Sequence, residues 1–397
     1  DMKKILFALT PIINYLSMVK KYEKHKRHIL EINKNFILVL LMILSCSLLA
    51  QPGEQPSGSG TENDPYLVGT LNNLYWMTEN SGEWDKYYIQ TSNIDASSSS
   101  AWDDGQGFTP LGNNSTKFTG TYDGGGYVIN DLNINRPSTT YIGLFGYTIG
   151  STIKDLGVIN VNITGGSRAG GLAGWIKNST VSNCYITGSI IGGDFVGGLS
   201  GIVDDSSTVN NCYSTSDVNG DGNNVGGLVG YNISSSVSNC YSTGSVVSET
   251  GIRIGGLVGW SFGGSISNCY STGSVTGSNF VGGIIGFGSG GYAVSGLFWN
   301  IDDFSTDNGI GTGITTMEMM DAYTFCFAGW DFEEDENGND NGITGGTNGN
   351  GTENYWDMVQ DGNHYPVLSW QNGDTILVTD LTNECLAYNG GCGDPTI

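Results

Sequence analysis

The string VGGLVGYNISSSVSNCYSTGSV, from Val225 to Val246, returns one period later as IGGLVGWSFGGSISNCYSTGSV, from Ile254 to Val275. Looser copies start at Ala169 (AGGLAGWIKNSTVSNCYITGSI) and Val196 (VGGLSGIVDDSSTVNNCYSTSDV). Cys184, Cys212, Cys240 and Cys269 are separated by 28, 28 and 29 residues. Leu144, Leu172, Leu199, Leu228, Leu257 and Ile284 keep step at 27 to 29. A period of this length defines a solenoid, because one unit cannot bury its apolar face alone and must stack on the next.

The unit is made for strands and turns. Runs of Val, Ile, Thr, Tyr and Ser are bounded by Gly, Asn and Ser, without a helical apolar stripe. The chain holds 63 Gly and 8 Pro. Each interior Gly costs a helix about 1 kcal/mol relative to Ala, which disfavours helical repeats. Short parallel strands fit, with like residues stacking on the next coil about 4.8 Å away. The expected fold class is all-β, a right-handed parallel β-helix of about 28 residues per coil. Its handedness follows the general crossover preference, and it should carry a short helical N-terminal cap and a Trp-rich C-terminal cap. Parity leaves one point open. In a straight strand Val237, Asn239 and Tyr241 share one face, and Ser238 and Cys240 the other. A corner at Asn239 would instead bury Val237 and Cys240 together.

The GGLVG and SNCYSTGSV segments resemble the GLUG repeat, a glycine-rich motif of bacterial surface proteins. It occurs in adhesin-like proteins and in the non-catalytic region of some IgA-specific metallopeptidases. The resemblance covers roughly Gly143 to Gly286, with four copies of the Asn-Cys-Tyr core. The first copy has Leu156 near the place of Cys, and the sixth decays after Phe287. The resemblance implies a surface or secreted repeat protein. It carries over no peptidase activity, since the chain has no His-Glu-x-x-His signature.

Residues 1–50 read as a signal peptide with a basic leader. Lys20 to Lys34 precede the apolar run Phe36–Ala50. Cleavage after Ala50, lipidation at Cys46 and an uncleaved anchor are the three outcomes this pattern allows; with cleavage, the mature chain has no membrane span. Beyond residue 50, 7 Lys and Arg face 36 Asp and Glu, a net charge of −29. That balance disfavours nucleic acid and anionic lipid, which need cations.

Residues 51–60 form a Pro/Gly/Ser linker and 61–140 the N-terminal cap and first coils. There Tyr66–Val68 is a strand, and Thr70 caps a helix with Leu71, Leu74, Tyr75 and Met77 on one side. The repeats occupy 141–287. Residues 288–372 are the C-terminal cap region, where Thr315 or Thr316 caps a helix carrying Met317, Met320 and Phe325. Its Trp299, Trp330, Trp356 and Trp370 are expected to plug the mouth of the coil. Residues 373–397 are a linker and the opening of an EGF-like module, which Asn383-Glu384-Cys385 and Asn389-Gly390-Gly391-Cys392 resemble.

No catalytic set emerges. His364 has no nucleophile paired with it in sequence. Asp103/Asp104, Asp204/Asp205 and Asp302/Asp303 are turn-like acidic pairs, usable by a glycosidase or lyase only if neighbouring coils bring them together. No cofactor is expected. Calcium is the one ion the chain suggests, in Asp331–Gly342, though that stretch fails the EF-hand order; metal ligands are otherwise unassigned. The ladder cysteines suit buried thiols better than disulfides, because stacked Cβ atoms lie about 4.8 Å apart. The function expected is a non-enzymatic secreted or cell-surface adhesin or stalk for a glycan or protein partner. The alternatives are a carbohydrate-active β-helix enzyme, or the stalk of a larger enzyme. If Tyr185, Tyr213, Tyr241 and Tyr270 point outward, they form a column suited to a sugar chain or an extended peptide.

Overall fold

A computed structural model describes Pro11, residues 53–303, 308, 310–321, 324, 325, 328, 330, 356, 357, 365–368 and 371. Apart from Pro11, the segment expected to be a signal peptide, with Cys46, lies outside the described residues, as do the acidic stretch Asp331–Gly342, His364, Trp370 and the segment expected to open an EGF-like module. The chain divides into units 1–52 and 53–397, and the solenoid lies within the second.

Every strand pairing from Tyr66 to Ile314 is parallel, apart from isolated bridges. One wall is a six-stranded sheet of Phe145–Ile149, Ala173–Lys177, Ser200–Asp204, Val229–Ile233, Val258–Phe262 and Ile285–Ser289, one strand per coil. The chain then turns a corner into the Ser236–Ser242 type of strand, and again into the Val246–Gly255 type. Both belong to a continuous sheet that also takes in the N-terminal strands Tyr66–Val68, Tyr87–Gln90 and Thr121–Asp123. The core is the stack of inward side chains. Leu172, Leu199, Leu228 and Leu257 are fully buried, as are Cys184, Cys212, Cys240 and Cys269.

The first corner is a serine ladder. The amides of Ser151, Ser179 and Ser207 each donate to the hydroxyl of the serine one coil on, at 3.1 Å. The bend before each cysteine is also built into the sequence. Asp155, Asn183, Asn211, Asn239 and Asn268 all adopt left-handed backbone, with φ between 50° and 54°. Asn and Asp tolerate that conformation better than other side chains do. The same residues bond across coils: Asn183 Nδ2 donates to Asp155 Oδ1 at 2.7 Å, and Asn268 Nδ2 to Asn239 Oδ1 at 3.4 Å. The bend flips parity, so Val237 and Cys240 both point inward at 0% exposure. The corner alternative is thus the one adopted, and Tyr241 turns outward.

The ends are closed differently. Thr70 caps the Leu71–Glu79 helix in a capping box with Asn73, and Leu71, Leu74 and Met77 join the solenoid core. The free edge of Tyr66–Val68 is blocked by Ser57, whose carbonyl accepts from the Leu67 amide at 2.8 Å. At the other end Thr315 caps the short helix Thr316–Met319. Met319 is its buried residue, whereas the expected Met317 is 82% exposed. The Trp residues divide. Trp299 belongs to the solenoid core, but Trp330 and Trp356 lie against the outward tyrosines. Those two cover a side of the coil and not its mouth.

Candidate functional site

Two columns of rings run up the outside of the solenoid, and the first is the one expected. Tyr185, Tyr213, Tyr241 and Tyr270 pair in register. Their ring centroids are 4.7–4.9 Å apart and their planes within 10°. Rings stacked in this way face one another along the axis and turn their edges outward, so the flat strip of faces expected for a sugar chain does not form. Access also falls along the column. Tyr185 and Tyr213 are half-buried, while Tyr241 and Tyr270 are 5% and 1% exposed. The cover is the chain's own C-terminal part: Phe325, Trp330, Trp356 and Leu368 form one apolar cluster with the two buried tyrosines. Burial raises the phenols of all four above the ordinary tyrosine range. The upper half of this column is therefore a packing surface.

The second column lies on the outer face of the six-stranded sheet. Tyr147, Trp175, Ile202, Tyr231, Trp260 and Phe287 follow one another in register. Tyr147 and Trp175 stack at 4.8 Å, and Tyr231 and Trp260 at 4.2 Å. Trp175, Tyr231, Trp260 and Phe287 keep intermediate exposure. Beside it runs a file of left-handed residues, Tyr141, Arg168, Phe195, Asn224, Arg253 and Phe280, with φ between 53° and 66°. The aromatic and arginine side chains among them fold onto the column. The Arg168 guanidinium lies 5.5 Å from the Trp175 ring, and that of Arg253 lies 4.3 Å from Trp260. Lys117 Nζ sits 5.4 Å from Tyr147. Sequence reading missed this column because its residues vary in identity. Its signal was available: an aromatic follows the glycine of Leu-x-Gly or Ile-x-Gly in every copy except Gly201-Ile202.

The acidic pairs serve the fold. Asp103 bonds Arg136 at 2.8 Å, and Lys177 stands 3.8 Å from both Asp204 and Asp205. Asp302 accepts from the Thr316 amide at 2.8 Å, which holds its pKa below the usual range. Asp303 accepts from Asn300 Nδ2 at 2.7 Å. A general acid needs the opposite shift. Among the described residues no group of three or more His, Cys, Asp or Glu could hold a metal ion.

The ladder cysteines are four free thiols, packed as small apolar groups. The ladder runs on into Leu156 below and Leu297 above, which occupy the same register. Burial pushes Cys184, Cys212 and Cys240 well above the ordinary thiol range. Raised pKa means less thiolate at a given pH, and thiolate is the reactive form. Iodoacetamide at pH 8 should therefore leave these three unmodified in the folded protein and label them fully in denaturant, as read by peptide mass mapping. Rapid labelling of the native protein would contradict the ladder.

The fold and its two columns define a parallel β-solenoid repeat protein with aromatic lateral faces. Residues 221–247 and 250–276 each match the GLUG motif. Halomucin of Haloquadratum walsbyi is 36% identical over 151 residues, 36% of this chain and 2% of its own length. A protein named as a Gly-rich membrane protein, from Evansella cellulosilytica, is 37% identical over 112 residues, 27% of this chain and 12% of its own. The chain thus spans only a small part of either relative. A solved structure described as an immunoglobulin A1 protease of Bacteroides ovatus aligns over 79% of this chain and 95% of its own, with a TM-score of 0.51. At 20% identity, that likeness is one of fold. Among the described residues no helix is long and apolar enough to cross a membrane.

Proposed function

We propose that this chain is a secreted or cell-surface repeat protein whose solenoid is a stalk and adhesion surface for a glycan or protein partner. The observation that carries this reading is the outer column on the six-stranded sheet. It repeats coil after coil, and Trp175, Tyr231, Trp260 and Phe287 keep partly accessible rings, whereas the upper half of the tyrosine column is covered. A repeated, rigid and partly apolar outer face suits binding, since aromatic rings give contact area at little conformational cost. The GLUG motif and the names of the two relatives support a surface setting. No catalytic step is assigned: Asp103, Asp204, Asp205, Asp302 and Asp303 each meet a structural partner.

The test is made on intact cells expressing the complete gene. An antibody raised against the folded solenoid should stain them without permeabilisation, or detect the protein in the medium. Protease added outside should remove any cell-bound signal. A protein found only after lysis would end the proposal.

A further inference from the structure

Of the 7 Lys and Arg beyond residue 50, four are taken by carboxylates: Lys86, Arg136, Lys154 and Lys177. The other three, Lys117, Arg168 and Arg253, all lie over rings of the outer column. Among the described residues neither arginine makes an ion pair, although the segment carries a net charge of −29. Their Nε atoms are buried without a hydrogen-bond partner, as is the indole nitrogen of Trp175. Both guanidinium groups lie against the rings, and Arg253 Nη1 also donates to Asn224 Oδ1 at 3.4 Å. Arg168 and Arg253 occupy the same place three coils apart, each beside the linked positions Ala169, Val196, Val225 and Ile254. At the spacing of stacked strands this is about 14 Å along the axis.

The rings beside them stack in two pairs, Tyr147 on Trp175 and Tyr231 on Trp260, with Ile202 between the pairs, so the stacked rings turn their edges outward. An aromatic edge carries partial positive charge, and a guanidinium fork matches a carboxylate. This face attracts oxygen and negative charge. Asp204 and Asp205 stand at the far end of the strands from the arginine file and are held by Lys177. The net charge of the chain repels a densely charged polyanion. The ligand must therefore carry sparse carboxylates among many neutral oxygens.

From this juxtaposition we propose that the outer column binds a linear uronate-containing polysaccharide lying along the solenoid axis. Arg168 and Arg253 take two of its carboxylates, and the ring edges take hydroxyl and ring oxygens. The inference rests on the adhesion reading and names the partner class.

The test is calorimetric titration of the full chain with hyaluronan oligosaccharides, in which uronate alternates with a neutral sugar. Neutral chitin oligosaccharides and poly-glutamate are the comparison ligands. Binding should weaken at least tenfold in Arg168→Gln/Arg253→Gln, and also for the unaltered protein when salt rises from about 50 to 500 mM. Tyr185→Ser, on the other column, should bind as the parent does. If the double variant fails to fold by circular dichroism, single Arg253→Gln and the salt series decide. Three results would overturn the inference: no hyaluronan binding by the parent, binding indifferent to both charge removal and salt, or equal binding of poly-glutamate. Any of these combined with surface staining leaves the adhesion reading standing.

Discussion

Serine in place of Tyr270 is expected to free the C-terminal segment from the side of the solenoid and to lower stability by about 3–5 kcal/mol. The ring is 1% exposed and its hydroxyl donates to the Pro366 carbonyl at 2.7 Å. Trp356 and Trp330 stand 5.9 and 6.3 Å from its centroid. Removal leaves a cavity among bulky aromatics and orphans a buried carbonyl, and the two costs add. Tyr185 occupies the same register at the opposite end of the column, where it is only half-buried. Tyr185→Ser should cost distinctly less. Urea unfolding measures the difference, and limited proteolysis near Trp330 and Trp356 should quicken only in the Tyr270 variant. Equal, small losses at both positions would contradict the covered column.

The second large effect is expected at Gly227. A Cβ there would meet the Gly256 carbonyl at 2.1 Å and Ser242 Oγ at 2.2 Å. The contact recurs along the stack: Gly198 against the Gly227 carbonyl at 2.2 Å, and Gly256 against that of Gly283 at 2.1 Å. Backbone packs on backbone here, and although a serine side chain could rotate away, the facing carbonyl cannot. Gly227→Val should therefore force adjacent coils apart and cost about 3 kcal/mol or more. A solenoid is stabilised by contacts between neighbours, so the damage should divide it. Unfolding that was one transition should become two, one for each flank. Gly82→Ala is the control, because a Cβ there meets nothing within 4 Å. A single unshifted transition for Gly227→Val would refute this account of the paired glycines.

Much of this architecture was legible because the repeat states it several times over. The period defines the coil, and the Asn before each Cys names the residue type that accepts the bend. Parity alone could not choose between a straight strand and a corner, since that depends on the backbone at Asn239. The covering of Tyr241 and Tyr270 was not legible. Trp356 lies 86 residues beyond Tyr270 in the chain, and a single contact at that range leaves no period to read. The outer column was hidden for the opposite reason. It repeats, but as Tyr, Trp, Ile or Phe, and only the shared register shows these as one feature. Arg168 and Arg253 acquire their meaning only once the coils are stacked.

Where the coils differ in length also matters. The pairing of Val246–Gly255 with Val275–Gly282 slips between Ser248 and Ile252, so Glu249, Thr250 and Gly251 bulge at one corner while the walls on either side stay aligned. A molecule built in this way has a quantised reach. Along its axis it grows or shrinks only by whole coils, about 4.8 Å at a time, because any other change would rotate the Leu, Asn and aromatic files out of line. Around its corners it is elastic, and there a loop can lengthen without disturbing the ruler.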